Sequence, residues 1–211
     1  MVCHSKNCSL THAANFLKNG ELVAFPTDTF FALGADATNA DAVESVFVAK
    51  GRFPDNPVPV LIDSIQMVDL VADGFPHTLR ELAESFWPGA LTIVLPATSN
   101  LPGIVTGGTG TVGVRVPDHT LARDLINLTG VPLTGTSCNI SGKPPTQKSE
   151  VVKQQLGSRI AMCVDATCGD NTEPSTVVML TEGSEDKVSV IRSGAISRGL
   201  MRKVIGDLLV T

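Results

Sequence analysis

No stretch of this 211-residue chain is apolar for long enough to cross a bilayer, because every hydrophobic run is broken within a few positions by glycine, proline or a charge. A soluble protein is expected. Residues 1–10 hold neither a long apolar core nor an arginine-rich amphipathic pattern, so no secretory signal or transit peptide is legible and the cytoplasm is the expected compartment. Cationic excess is missing as well. Sixteen Lys and Arg stand against twenty-one Asp and Glu, a net charge of −5, which argues against a broad nucleic-acid-binding face but allows a local cationic pocket. Any contact with RNA is therefore expected to be weak or indirect. Five cysteines, an odd number with no export signal, argue against a disulfide framework. Cys3 and Cys8, with His4 beside the first, and Cys163 and Cys168 form C-x4-C pairs. The tighter C-x2-C spacing of structural zinc sites is absent, and no metal site is expected. The glycine-rich loop at 103–110 lacks the spacing of either a dinucleotide fingerprint or a P-loop, and Ser137 stands in no G-x-S-x-G elbow.

What is present is a regular alternation of helical periodicity and short buried runs. Helices are predicted over 10–20, 39–50, 76–87, 119–128, 149–156 and 196–209, and strands over 22–25, 58–62, 91–95, 111–116, 131–136, 160–164, 176–180 and 188–191. Thr38 and Asn39 are candidate N-caps, while Gly20 and Pro88-Gly89 punctuate helix ends. The pattern is that of an α/β protein. No internal repeat is visible and no loop-rich stretch resembles a linker, so residues 1–211 are expected to form one domain.

Pro26 stops the first strand and leaves Thr27-Asp28-Thr29 at its end, the place where α/β sheets bind ligands. On 111–117 three valines take one face and Thr111, Gly113, Arg115 and Pro117 the other. Gly113 leaves space beside the Arg115 guanidinium for a carboxylate or phosphate; an arginine capping the surface is the plain alternative. Ser137, Asn139 and Ser141 share a face if the chain stays extended, a row able to donate to anionic oxygens, although an ordinary Ser/Asn/Gly/Pro turn fits the same composition. Lys50 and Arg52 leave a helix on a segment loosened by Gly51 and stiffened by Pro54 and Pro57. They suit either a phosphate clamp on a loop that moves as a unit or cations that complement a helix dipole.

Taken in order, seven segments resemble the YrdC-like threonylcarbamoyl-AMP synthase family. They are Phe25-Pro26-Thr27-Asp28-Thr29, Lys50-Gly51-Arg52 with Asn56-Pro57, Trp87-Pro88-Gly89-Ala90-Leu91-Thr92, Val114-Arg115-Val116-Pro117-Asp118-His119, Thr136-Ser137-Cys138-Asn139-Ile140-Ser141-Gly142, Ser175-Thr176-Val177-Val178 and Ile191-Arg192-Ser193-Gly194-Ala195-Ile196. Together they cover about residues 10–197. The resemblance implies a twisted, mixed α/β sheet with flanking helices around one large concave cavity. It implies an enzyme that condenses L-threonine, bicarbonate and ATP, with Mg2+ accompanying the ATP, into threonylcarbamoyl-AMP and pyrophosphate. A separate complex then passes the threonylcarbamoyl group to adenosine in tRNA. Matched motif to motif, it implies Thr29, Arg115, Ser137 and Ser175 as threonine ligands and Arg52, Asn56, Thr111, Asn139, Thr146 and Arg192 as ATP ligands. It also implies Lys50 and Arg52 as the cations that serve the reaction. The chain departs from the family pattern at Phe30-Phe31-Ala32, at Cys138 and at Leu61, where some members place a histidine on the threonine. Longer members carry a second, C-terminal domain, which this chain is expected to lack. An RNA-binding or ribosome-maturation factor using the same cavity is the alternative, and the acidic balance speaks against it.

Overall fold

Buried apolar residues at 10, 13, 14 and 17 form the stripe of helix α1 (Lys6–Lys18), the spacing that lets a helix seat one face on a core. The computed structural model describes residues 6–53 and 55–210. Strand β1 (Val23–Pro26) follows with all four residues buried, and β2 (Phe31–Gly34) returns antiparallel to it, from Val23 opposite Gly34 to Pro26 opposite Phe31. No strand is predicted over β2. Its four residues are all buried, so they show none of the alternation that marks a half-exposed strand. Helix α2 (Ala40–Lys50) starts where the sequence places it: Asn39 Oδ1 accepts from the amides of Asp41 and Ala42, and Gly51 ends the helix at φ 60°.

The later strands are β3 (Val60–Leu61), β4 (Leu91–Pro96), β5 (Thr111–Arg115), β6 (Leu133–Thr134), β7 (Thr136–Ser137), β8 (Met162–Cys163), β9 (Thr176–Leu180) and β10 (Val188–Arg192). Between them lie helices α3 (His77–Phe86), α4 (Gly103–Thr106), α5 (Thr120–Thr129) and α6 (Ser149–Leu156), and α7 (Arg198–Ile205) closes the series. α4 falls in the stretch expected to be a glycine-rich loop, and α7 is shorter than the helix predicted over 196–209, because Gly206 ends it and a 3-10 turn follows. The strands form two sheets of mixed pairing, in the orders β7-β2-β1-β8 and β10-β9-β4-β5-β3-β6.

The strand predicted over 131–136 is divided between these sheets: β6 pairs with β3 and β7 with β2. Gly135 sits at the crossing, where a Cβ would come 2.5 Å from Leu61 Cγ. A residue with a side chain would have to displace Leu61 to let the chain pass. The small sheet is covered on both faces. Val23, Phe25 and Ala32 pack with Leu10, Leu17, Leu125 and Ile126 of α1 and α5, while Ala24, Phe31 and Leu33 pack with Val46, Val152 and Leu156 of α2 and α6. The large sheet buries Ile93, Val112 and Val114 against Leu79 and Leu82 of α3 and Met201 of α7. No described helix is long and apolar enough to cross a membrane.

Candidate functional site

Residues of both sheets line one cavity of about 400 Å³, within the range of small-molecule sites. From the small sheet come Phe31 and Ala32 of β2 and Thr136 and Ser137 of β7. Leu61, Thr92, Arg115 and Arg192 face it from β3, β4, β5 and β10 of the large sheet. Thr27 and Thr29, from the turn after β1, and Ser175, just before β9, complete its polar half.

Arg115 ends β5 and is 6% exposed. Its Nε donates to the Gly89 carbonyl at 2.9 Å, Nη1 to Thr29 Oγ1 at 3.3 Å, and Nη2 to Asp28 in a buried ion pair. Burial lowers the Arg115 pKa, Asp28 opposes that shift, and the like charge of Arg192 adds to it. The vacancy expected beside this guanidinium is filled from within. A Cβ on Gly113 would lie 3.1 Å from Thr92 Cγ2 and 3.7 Å from Pro59 Cβ, so the glycine makes room for those side chains.

Arg192 grips Ser175, with Nη2 donating to its carbonyl at 2.8 Å and to its Oγ at 3.1 Å. Ser175 Oγ also lies 2.8 Å from Thr92 Oγ1. Arg52, half-buried, donates to the Pro57 carbonyl at 2.9 Å and to Thr136 Oγ1 at 3.3 Å. Burial lowers its pKa and Asp55 counters that shift.

Lys50 does not reach the open cavity. It is 3% exposed, and its Nζ donates to the carbonyls of Ser137 and, at 2.8 Å, Asn139. A lysine anchored in this way could travel with a mobile loop only by giving up both contacts and leaving the Asn139 carbonyl without its donor, whereas the Ser137 carbonyl keeps the Asn139 amide. Pro54, one of the two brackets of that loop, lies outside the described residues.

The row of Ser137, Asn139 and Ser141 does not form, because the chain turns after β7. Asn139 Nδ2 donates to the carbonyls of Ile140 and Lys143, and Gly142 takes φ 83°. Asn139 is thus buried as a brace of the loop. Three further predicted residues stand outside the lining. Asn56 donates to Asp55 Oδ1, Thr111 Oγ1 pairs with Thr109 Oγ1, and Thr146 accepts from the amides of Phe31 and Lys148.

Thr92 also lines the cavity, and Asp28 and Gln147 hold the lining residues Arg115 and Thr29, although none of these three is an expected ligand. Gln147 Nε2 donates to the carbonyls of Thr29, Gly169 and Asn171 and so ties three loop positions beside the cavity. A carboxylate between two threonines at a strand end is a usable signal for Asp28, whereas Thr92 and Gln147 acquire their partners only through folding. Cys138, Cys163 and Cys168 are free thiols, and burial pushes Cys138 up to about 12 and the other two to about 11. Cys3, His4 and the side chain of Cys8 lie outside the described residues. Among the described residues no group of three or more His, Cys, Asp or Glu is placed to hold a metal.

The Sua5/YciO/YrdC family model, described as telomere recombination, matches residues 15–194. A threonylcarbamoyl-AMP synthase of Pyrococcus abyssi is 39% identical over 198 residues, which are 94% of this chain and 57% of that protein. One of Bacillus subtilis is 40% identical over 202 residues, 95% of this chain and 58% of that protein. The chain thus spans less than two thirds of the length of these two relatives. A putative threonylcarbamoyl-AMP synthase of Mycobacterium tuberculosis is 36% identical over 93% of this chain and 89% of its own length. Among solved structures, P. abyssi Sua5 complexed with L-threonine matches with a TM-score of 0.89 at 39% identity, over 94% of this chain and 57% of that one. E. coli YciO, at 22% identity and a TM-score of 0.77 over 90% of this chain and 91% of its own, shares the fold. With the family model spanning most of its length and a relative 39% identical over 94% of it, the chain belongs to the Sua5/YciO/YrdC family.

Proposed function

We propose that this chain is a threonylcarbamoyl-AMP synthase, which condenses L-threonine, bicarbonate and ATP into threonylcarbamoyl-AMP and pyrophosphate for threonylcarbamoyl-adenosine modification of tRNA. The observation that carries the reading is one cavity, shared by two sheets, that offers three guanidiniums beside a set of hydroxyls and has no carboxylate among its described lining residues. The chemistry calls for such a site. A carbamate formed from the threonine amine and bicarbonate must approach the α-phosphate of ATP, and fixed cations and donors offset the repulsion of two anions that no covalent nucleophile would relieve.

In this reading Arg115 takes the threonine carboxylate, with Thr29, Ser137 and Ser175 around the amino acid. That a 39% identical relative is solved in complex with L-threonine supports the amino acid as a ligand. Arg52 and Arg192 face the phosphates from the cavity wall. Asn139 holds the loop over which ATP lies, and Asn56, Thr111 and Thr146 serve ATP from segments adjoining the lining. Lys50 serves the reacting anions through its charge and by fixing the backbone of Ser137 and Asn139. Magnesium arrives with ATP, coordinated by the phosphates. A separate transfer complex takes the intermediate onward, so contact with tRNA is indirect, and the cytoplasm is the compartment where these substrates meet.

The test is incubation with ATP, L-threonine and labelled bicarbonate, followed by mass spectrometry for threonylcarbamoyl-AMP and pyrophosphate. Absence of both products, or pyrophosphate release that ignores threonine, defeats the proposal. RNA binding with a steep salt dependence and no turnover would point instead to a binding factor.

A further inference from the structure

The turn after β1 carries a carboxylate that the proposed chemistry does not use. Asp28 is 4% exposed. One oxygen pairs with Arg115, and the other, Oδ2, is buried with no hydrogen-bond partner among the described residues. A half-satisfied buried carboxylate lowers stability, so its presence is not explained by folding alone. It is also firmly held. Thr27 Oγ1 accepts from the Thr29 amide and donates to the Phe30 carbonyl. Gly169 approaches so closely that a Cβ there would lie 2.9 Å from Asp28 Cα, and Gln147 ties Thr29 to Gly169 and Asn171.

Of the three guanidiniums that line the cavity, only that of Arg115 is ion-paired among the described residues. The two substrates of the proposed reaction differ chiefly in charge: the amino acid presents one carboxylate on a zwitterion, and the nucleotide a polyphosphate. Three uncompensated cations would draw polyphosphate into the amino-acid position, since Coulomb attraction grows with the charge of the ligand. An arginine whose net charge is cancelled keeps its directed N–H donors and loses most of that long-range pull.

We propose that Asp28 determines the specificity of the amino-acid subsite: it positions the Arg115 guanidinium and cancels its charge, so the subsite takes a zwitterionic amino acid and rejects phosphate groups. This rests on the reading that threonine and ATP share the cavity. A residue acting only in folding would, when replaced, weaken both ligands alike; the proposed role predicts an exchange of one ligand for the other.

The experiment is calorimetric titration of L-threonine, with and without inorganic pyrophosphate, into the full chain as wild type, Asp28→Asn and Asp28→Glu, each checked for folding by circular dichroism. Wild type should bind threonine with an affinity that pyrophosphate changes by less than about twofold, and Asp28→Glu, which keeps the charge, should behave similarly. In Asp28→Asn pyrophosphate should compete directly, raising the apparent threonine Kd about tenfold or more. Competition in the wild type, competition in Asp28→Glu equal to that in Asp28→Asn, or a folded Asp28→Asn with unchanged selectivity each overturns the proposal. Should Asp28→Asn fail to fold, Asp28→Ser takes its place with the same expected competition, and pyrophosphate competing in the wild type or in Asp28→Glu still overturns the proposal. A wild type that binds no threonine overturns this proposal and the function reading together, whereas threonine binding with an unchanged Asp28→Asn removes this proposal alone.

Discussion

Arg115 and Lys50 are both buried cations, and each makes a different prediction. Removing the Arg115 side chain leaves Asp28 buried without its counter-charge, so Arg115→Ala should abolish threonine binding and also destabilise the fold by about 3–5 kcal/mol. Urea unfolding and calorimetry measure the two effects separately. The double variant Arg115→Met with Asp28→Asn should regain most of the stability and none of the binding; a double variant as unstable as Arg115→Ala would contradict this account. For Lys50, burial lowers the pKa from 10.5 to about 8, with Cys138 opposing and Arg52 reinforcing the shift. Below about pH 8 both folded and unfolded chains hold the proton, whereas between 8 and 10.5 only the unfolded chain keeps it. Folding stability from this group therefore rises with pH across that window. Wild type should gain stability relative to Lys50→Met between those two pH values, and a constant difference would mean that Lys50 is not perturbed in the folded state. The thiols need no such role. With Cys138 pushed up to about 12, thiolate is scarce at neutral pH. Cys138→Ala and Cys168→Ser should turn over at rates close to wild type, and loss of product formation in either would show a thiol requirement.

Between elements, the cavity depends on close approaches of backbone. At Gly194, beyond β10, a Cβ would meet the Pro174 carbonyl and lie 2.7 Å from the Ser175 carbonyl carbon. No side-chain rotation can relieve a clash with backbone, so Gly194→Ala must push the 174–175 segment away from Arg192. That displacement should raise the threonine KM about tenfold, because groups misplaced by an ångström lose their oriented contacts, and the overpacking should cost about 1–3 kcal/mol of stability. Steady-state kinetics at saturating ATP checks it, and an unchanged KM would show that the segment does not bear on the amino acid. The partition of 131–137 between two sheets has the same origin. Pattern alone merges β6 and β7 into one run, and the tight passage of Gly135 over Leu61 separates them.

At the scale of the whole molecule, two sheets and their loops must stay in register for the cavity to persist, so ligands that bridge them should stabilise the fold globally. A ligand at 100 times its Kd adds about 2.7 kcal/mol, and ATP and threonine together should raise the melting temperature more than either alone. Equal shifts for one ligand and for both would show that the two do not occupy the protein together, and would defeat the reading in which they react side by side. Much of this architecture is legible in the sequence, because buried runs, the Asn39 cap and the Gly51 stop report local backbone preferences that survive folding. The order of the seven motifs likewise places the candidate site residues on strand ends and loops. What the sequence leaves open is which distant groups meet. Asp28 with Arg115, Lys50 with the carbonyls of Ser137 and Asn139, and Thr92 with Ser175 are separated by 83 to 89 positions. No periodicity carries that information, since it reports the environment of a residue and not the identity of its neighbour. The sequence by itself determined most of the elements, their order and the cations, but not β2, α4 or the division of β6 from β7. Only the tertiary structure decided which of those cations face the cavity, which are neutralised and which hold the backbone, because that choice is made by how the two sheets and their loops meet around the cavity.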